Sequence, residues 1–202
     1  MIDRERAEAA IVALLVEDVD LLDPDVREYL IESGALVDGE IRPVRAAVSL
    51  VLAGVPPEKA AALVDWRGFE SLVQEYLEEF GYRVVAKRFR FVHGGRRWEV
   101  DLLGAGPLAA LAVECKLWTN RRGIRSKIAA EVRTHLGRVR ALVESDSATK
   151  LGLRGRVIPL VVGWFPEAGE LVEGVPYVPL FKLNSFLMEL DPLDDDLAGF
   201  NP

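Results

Sequence analysis

The stretch Trp98-Glu99-Val100-Asp101-Leu102-Leu103-Gly104-Ala105-Gly106-Pro107, continued by Leu108-Ala109-Ala110-Leu111-Ala112-Val113-Glu114-Cys115-Lys116, decides the fold. Apolar runs bounded by Gly and Pro read as strands, so this is a hairpin turning at Gly104–Pro107. Side chains alternate faces along a strand. Glu114 and Lys116 then share one face, and Val113 and Cys115 the other. On the partner strand Glu99 and Asp101 share a face, opposite Trp98, Val100 and Leu102. Pairing the strands lets Asp101, Glu114 and Lys116 converge. Two carboxylates and an ammonium at the end of an apolar strand pair are costly unless they pair or bind something. Two oxygen donors suit Mg²⁺, which takes few protein ligands and keeps waters for a phosphate substrate.

Asp101, twelve residues, then Glu114-Cys115-Lys116 resembles the D-x(n)-E-x-K signature of the PD-(D/E)xK nuclease superfamily. The likeness is to Mrr-type restriction endonucleases and archaeal Holliday-junction resolvases. Upstream, Gly68-Phe69-Glu70, then Leu72, Val73, Leu77 and Gly81-Tyr82-Arg83-Val84, looks like the first helix of that family with its Gly-Tyr entry into a strand. The resemblance covers about residues 66 to 190.

Residues 1–65 hold 6 basic and 14 acidic residues, residues 66–163 hold 18 and 10, and residues 164–202 hold 1 and 8. The formal net charge of -7 therefore hides a basic middle segment, the one that carries the motif. Half the residues are hydrophobic, enough for a real core. No run approaches the ~20 apolar residues of a membrane span. The first residues, Met1-Ile2-Asp3-Arg4-Glu5, are charged and unlike a signal peptide, so a cytoplasmic protein is expected. A single cysteine allows neither an internal disulfide nor a Cys-cluster zinc site, and Cys115 reads as a small buried hydrophobe.

Along the chain, residues 1–64 read as a helical region. Arg4 to Val16 is one helix. Asp23-Pro24 starts a second, carrying Val26, Tyr29 and Leu30 and stopped by Gly34. Asp38-Gly39 suits a tiny hairpin. Val44, Ala47, Val48, Val51 and Leu52 form a helical stripe that Gly54 ends. Pro56-Pro57 opens a short helix. Helix, turn, helix and small wing suit a DNA-binding module; net acidity favours a packing or dimerisation role.

Asp65 can cap the next helix, whose stripe is Phe69, Leu72, Val73, Tyr76, Leu77 and Phe80. Glu70 lies at the edge of that stripe and alone reads as a solvated residue. Tyr82 to Val92 is a strand with Lys87, Arg88 and Arg90 near its end. His93-Gly94-Gly95-Arg96 turns into the central pair. Trp118 to Ser126 is a basic irregular connection. A helix follows with Ile128, Val132, Leu136, Val139, Leu142 and Val143 inward. His135 falls in that stripe, either as a satisfied core histidine or leaning toward the cleft. From Lys116 to Arg140 there are eight basic residues and one acidic, Glu131. Arg121, Arg122, Arg125, Lys127 and Arg133 are the candidate DNA contacts, on a loop and helix flank able to grip a phosphate backbone. Val157 to Phe165 reads as a buried strand. Val175 to Leu180 reads as a strand that two prolines push to the sheet edge. Leu183 to Leu190 is a last helix, and residues 191–202 are an acidic, loose tail.

From Asp65 the order is helix, three strands, helix, strand, strand, helix: an α/β chain. The resemblance implies a restriction-endonuclease-like core over 65–190, a central mixed sheet flanked by helices. It also implies a metal-dependent DNA endonuclease. Asp101 and Glu114 would be the metal ligands, helped by the Cys115 backbone carbonyl, with Glu70 holding a metal-bound water or second ion. Lys116 would orient water or stabilise the transition state. Mg²⁺ is the implied cofactor, with Mn²⁺ as substitute, and DNA the implied partner. Related nucleases often carry a Gln in the helix after the motif. This chain has none there, which leaves open whether His135 substitutes. Glu99 either adds a water-mediated contact or faces solvent. The alternative is a nuclease-fold module that binds DNA or a partner without catalysis. Junction cleavage would need a homodimer with two sites on two strands.

Overall fold

The computed structural model describes residues 2–118, 121–166 and 171–202. Thr119 and Asn120, in the expected connection from Trp118 to Ser126, lie outside the described residues. The chain divides into two compact units, residues 1–72 and 73–202.

The first unit is mainly helical. Helices α1 (Arg4–Leu15), α2 (Pro24–Glu32), α3 (Pro43–Leu52) and α4 (Pro57–Ala60) precede α5 (Trp66–Glu79), along which the division between units falls. The Asp23 side chain accepts from the Asp25 N–H, and Pro24 takes the first helical position, which needs no N–H. Strands β1 (Leu36–Val37) and β2 (Glu40–Ile41) form the expected tiny hairpin. Its Asp38 and Gly39 both have positive φ, the conformation that a two-residue turn between twisted strands requires. This hairpin lies between α2 and α3 in the chain. Asp65 Oδ1 accepts from the Gly68 N–H at 2.9 Å, capping α5. Gly68 is a close-approach position: a Cβ there would meet Val44 Cγ2 at 2.6 Å.

The second unit is built on a six-stranded mixed sheet flanked by helices, so the chain is α/β. Its strands are β3 (Arg83–His93), β4 (Arg96–Ala105), β5 (Ala109–Lys116), β6 (Arg156–Gly163), β7 (Leu171–Val172) and β8 (Val175–Pro179). Their spatial order is β3-β4-β5-β6-β8-β7. The β3–β4 and β4–β5 pairs are antiparallel, β5–β6 and β6–β8 parallel. Helix α6 (Ile124–Glu144) makes the crossover from β5 toward β6, followed by the short α7 (Ser147–Lys150). Helix α8 (Leu180–Glu189) follows the last strand. Among the described residues no helix is long and apolar enough to cross a membrane.

Strand β5 is central and buried from Ala109 to Cys115. Alanine is a weak strand former. Its small side chains let α6 lie close: His135 Nε2 of that helix contacts the Ala112 carbonyl oxygen at 2.8 Å. A core cluster joins Phe91, Val100, Leu103, Ala110 and Ala112 of the sheet to Val139 and Leu142 of α6.

Three expectations change. Val100 and Leu103 both enter that one core, so strict alternation does not hold through Asp101. The ladder passes from Lys87–Leu102 to Phe89–Val100, and Arg88 between them has φ 45°. A non-glycine residue in that region marks an interrupted strand. Second, β8 is not the sheet edge. It lies between β6 and the two-residue β7, all five residues buried. Glu173 and Gly174, both with positive φ, fold β7 back onto it. Third, the last residues are not loose. Arg156 donates to the Pro192, Asp194 and Leu197 carbonyls. Phe200 exchanges two backbone hydrogen bonds with Val157, at 2.8 and 3.0 Å. Composition marked the tail as acidic, whereas its carbonyls are what hold it.

Candidate functional site

Pairing of β4 with β5 runs from Ala105–Ala110 to Leu102–Val113 and stops there. Just beyond it, Asp101 Oδ2 accepts the Cys115 N–H at 2.8 Å. A side chain thus takes the place of a ladder carbonyl, leaving a carboxylate beside Glu114 where the strands part. The side chain of Cys115, the one cysteine of the sequence, is buried.

Glu114 is 4% exposed. A carboxylate this deep needs partners on each oxygen. Lys116 Nζ lies 2.7 Å from its Oε1, and Arg138 Nη1 donates to its Oε2. Both cations also face Glu131 on α6, Lys116 Nζ at 3.4 Å from Oε2 and Arg138 Nη2 at 3.6 Å from Oε1. The four side chains make a closed ring in which acids and cations alternate. Burial, then the charge of Asp101, push the Glu114 carboxyl up to about 7, against the pull of Arg138 and Lys116. Burial pulls the Lys116 ammonium down, but the hydrogen bond and charge of Glu114, with Glu131 and Asp101, outweigh it and leave its pKa raised. Lys116 is therefore a charged donor at neutral pH and not a base.

His135 is 0% exposed. Since its Nε2 faces a carbonyl, that nitrogen carries the proton and Nδ1 holds a lone pair. Arg138 Nη1 lies 3.5 Å from this Nδ1. Burial drives the imidazole pKa down to about 3, opposed by the Ala112 bond and reinforced by Arg138 and Lys116. His135 is a neutral spacer between the central strand and Arg138.

The second unit thus brings Asp101, Glu114 and Lys116 together, with His135 behind them. Glu70 sits on the first-unit part of α5 and is partly buried. Glu99 pairs with Arg90 at 2.5 Å. Of the candidate DNA contacts, Arg121, Arg122 and Arg125 are exposed and Lys127 is half-buried. Arg133 is exposed but paired with Glu173 at 2.7 Å. A second basic surface, not anticipated as such, lies on the β3–β4 arm, where Lys87, Arg88, Arg90, Arg96 and Arg97 are exposed. The Arg96 guanidinium stands 4.0 Å from the Trp98 ring centre.

Sequence reading missed Arg138 and Glu131 as members of the site. A signal was present: Glu131, His135 and Arg138 are spaced i, i+4, i+7, so they line one side of α6 next to its apolar stripe.

The donor set for an ion is Asp101 and Glu114, hard oxygens on neighbouring strands, which fits Mg²⁺ or Mn²⁺ holding several waters. Among the described residues no group of three or more His, Cys, Asp or Glu is arranged to hold a metal. An ion here would rely on water and phosphate oxygens for the rest of its shell, and Glu114 would have to release a cation.

No family model matches the chain, and no curated protein matches it. Among solved structures, a match is found to the crystal structure of protein VC1899 from Vibrio cholerae, at 15% identity and a TM-score of 0.26. It covers 92% of this chain and 52% of that one, so the chain spans about half the length of that protein. At that TM-score the likeness carries no argument about fold or activity.

Proposed function

We propose that the chain is a metal-dependent endodeoxyribonuclease with a restriction-endonuclease-like core, hydrolysing phosphodiester bonds at Asp101, Glu114 and Lys116. The observation that carries this reading is the buried Glu114 carboxylate beside Asp101 at a strand parting, with Lys116 2.7 Å away. Asp101 and Glu114 would hold a divalent ion, which when bound activates water and neutralises charge on the phosphate. Lys116, kept protonated by its acidic neighbours, would donate to a phosphate oxygen as negative charge develops there. Arg121, Arg122 and Arg125, with the cations of the β3–β4 arm, would hold the DNA backbone. Whether the DNA is linear, branched or modified depends on that outer surface rather than on the fold.

The test is a cleavage panel of linear, flapped, four-way and methylated DNA, with Mg²⁺ or Mn²⁺ and with chelator. Cleavage is expected with metal alone. Asp101→Asn and Lys116→Met should each lower it by at least about a hundredfold, as loss of a transition-state contact does. Unchanged cleavage in both variants would refute the assigned site. The second reading, a nuclease-fold module that binds without cutting, is favoured by one observation: both Glu114 oxygens already hold side-chain cations. Salt-dependent DNA binding with no cleavage in either metal would select it.

A further inference from the structure

Arg138 occupies the one Glu114 oxygen that Lys116 does not. Its Nη1 donates to Oε2 and faces the His135 lone pair, while its Nη2 points to Glu131 at 3.6 Å, beyond hydrogen-bond range. Glu131 Oε1 is buried and has no hydrogen-bond partner among the described residues. A buried acceptor left open next to a forked donor is an unmet demand. The donor is within reach but committed to Glu114. The guanidinium thus has two acceptors and satisfies one fully.

Lys116 and Arg138 both stand on Glu114, and Glu131 is the second acid that each of them faces. Arginine stays charged at any accessible pH and cannot yield by losing a proton. It can yield only by moving.

Resting on the nuclease reading above, we propose that Arg138 is the resident counter-ion of Glu114 and that Glu131 is its receiver. A divalent ion entering between Asp101 and Glu114 displaces the guanidinium from Glu114 Oε2 onto Glu131 Oε1. Neither residue need touch the phosphate; both are positioning residues that set how tightly the ion is held. In the metal-free protein Arg138 keeps a deeply buried carboxylate partnered. His135, fixed to the central strand through Ala112, holds the guanidinium in line with the carboxylate.

The test is Mn²⁺ binding by titration calorimetry and by the electron-spin signal of free Mn²⁺, without DNA, on the full chain. Arg138→Gln should bind Mn²⁺ at least about tenfold more tightly than wild type, because the competing charged hydrogen bond is gone. Glu131→Gln should bind more weakly, since Arg138 has lost the place it moves to. The double variant should match Arg138→Gln if Glu131 acts only through Arg138. A double variant weaker than Arg138→Gln would make Glu131 a ligand and overturn its role as receiver. Equal or weaker binding by Arg138→Gln would overturn the competition, while Mn²⁺ binding by wild type and metal-dependent cleavage would leave the nuclease reading standing. No Mn²⁺ binding by any form at millimolar metal would end both. Should Arg138→Gln fail to fold by circular dichroism, Arg138→Lys serves. Loss of the forked donor should still tighten binding, by less, and unchanged or weaker binding overturns the proposal.

Discussion

Asp101 Oδ2 accepts the backbone N–H of Cys115 at 2.8 Å, one residue past the point where their strands cease to pair. This bond ties the neighbouring acid to the strand that carries Glu114 and Lys116. It also accounts for two adjacent carboxylates. One is fixed by an amide, and the other is held between two cations.

Removing the second carboxylate should therefore be costly. Glu114→Ala leaves Arg138 and Lys116 facing each other in a mostly closed site, with Glu131 as their remaining acid in the ring. Breaking a buried pair costs about 3–5 kcal/mol, and Glu131 should hold the loss near the lower end, about 3 kcal/mol. Adding Arg138→Met should recover part of it. Urea unfolding of the two variants measures this, and a double variant less stable than Glu114→Ala would contradict it.

His135 gives a pH signature. Its folded pKa is depressed to about 3, below the unfolded value of 6.5. The unfolded chain therefore takes up the proton first as pH falls. The stability contribution is complete above 6.5 and declines steadily below it. Glu114 acts in the opposite sense: its raised pKa favours the fold below 4.5, and that contribution is lost as pH rises through about 7. The two partly cancel in the wild type. Comparing wild type with His135→Gln, which keeps a donor for the Ala112 carbonyl, isolates the histidine. The stability difference should move in favour of the variant by about 1.4 kcal/mol per pH unit below 6.5. A difference constant from pH 7 to 5 in urea titrations would show that His135 keeps an ordinary pKa in the fold.

The C-terminal pin is separable from the site. Arg156→Met removes the donor shared by the carbonyls of Pro192, Asp194 and Leu197. Asp194 is exposed and Pro192 half-buried, so only Leu197 of the three is buried and the global cost should be modest, about 1 kcal/mol. Amide exchange should show more. Protection at Val157 and Phe200, which bond each other, should fall well before that of β5. Unchanged protection at Phe200 would mean that the tail holds without the arginine.

Gly163 tests the packing at the end of β6. A Cβ there would run into the Tyr177 ring, whose hydroxyl donates to the Phe165 carbonyl at 3.1 Å. Gly163→Ala should destabilise by about 1–3 kcal/mol through overpacking. A smaller residue at 177 should relieve the clash, which thermal melts of Gly163→Ala with and without Tyr177→Leu would reveal as a smaller penalty in the second background.

Much of this was legible in the residues. The hairpin of Asp101 and Glu114 followed from two apolar runs around Gly and Pro. The helix starts at Pro24 and Pro43 and the cap at Asp65 follow from side-chain chemistry that acts within a few residues. What escaped reading depends on contacts far apart in the chain. Arg138 and Glu114 are separated by 24 residues, and Arg156 and Leu197 by 41. The i, i+4, i+7 spacing of Glu131, His135 and Arg138 is the local trace of the Arg138 contact, but the spacing alone does not name Glu114 as the partner. The slip in alternation at Asp101 was hidden for the same reason: it depends on how Arg88 of the neighbouring strand bends. Val175 to Leu180 reads as an edge strand because its prolines cannot donate, yet in the fold a two-residue neighbour is enough to cover the observed strand, Val175–Pro179.

The two borders of the sheet differ in kind but work alike. One is β3, a long strand that shows Arg83, Lys87, Arg88 and Arg90 to solvent; the other is β7, two residues long. A row of cations repels an incoming copy of itself, and a two-residue strand offers too few amides to template one. The sheet is thereby closed to strand-by-strand growth, so neither border lets copies of this chain knit into a fibre.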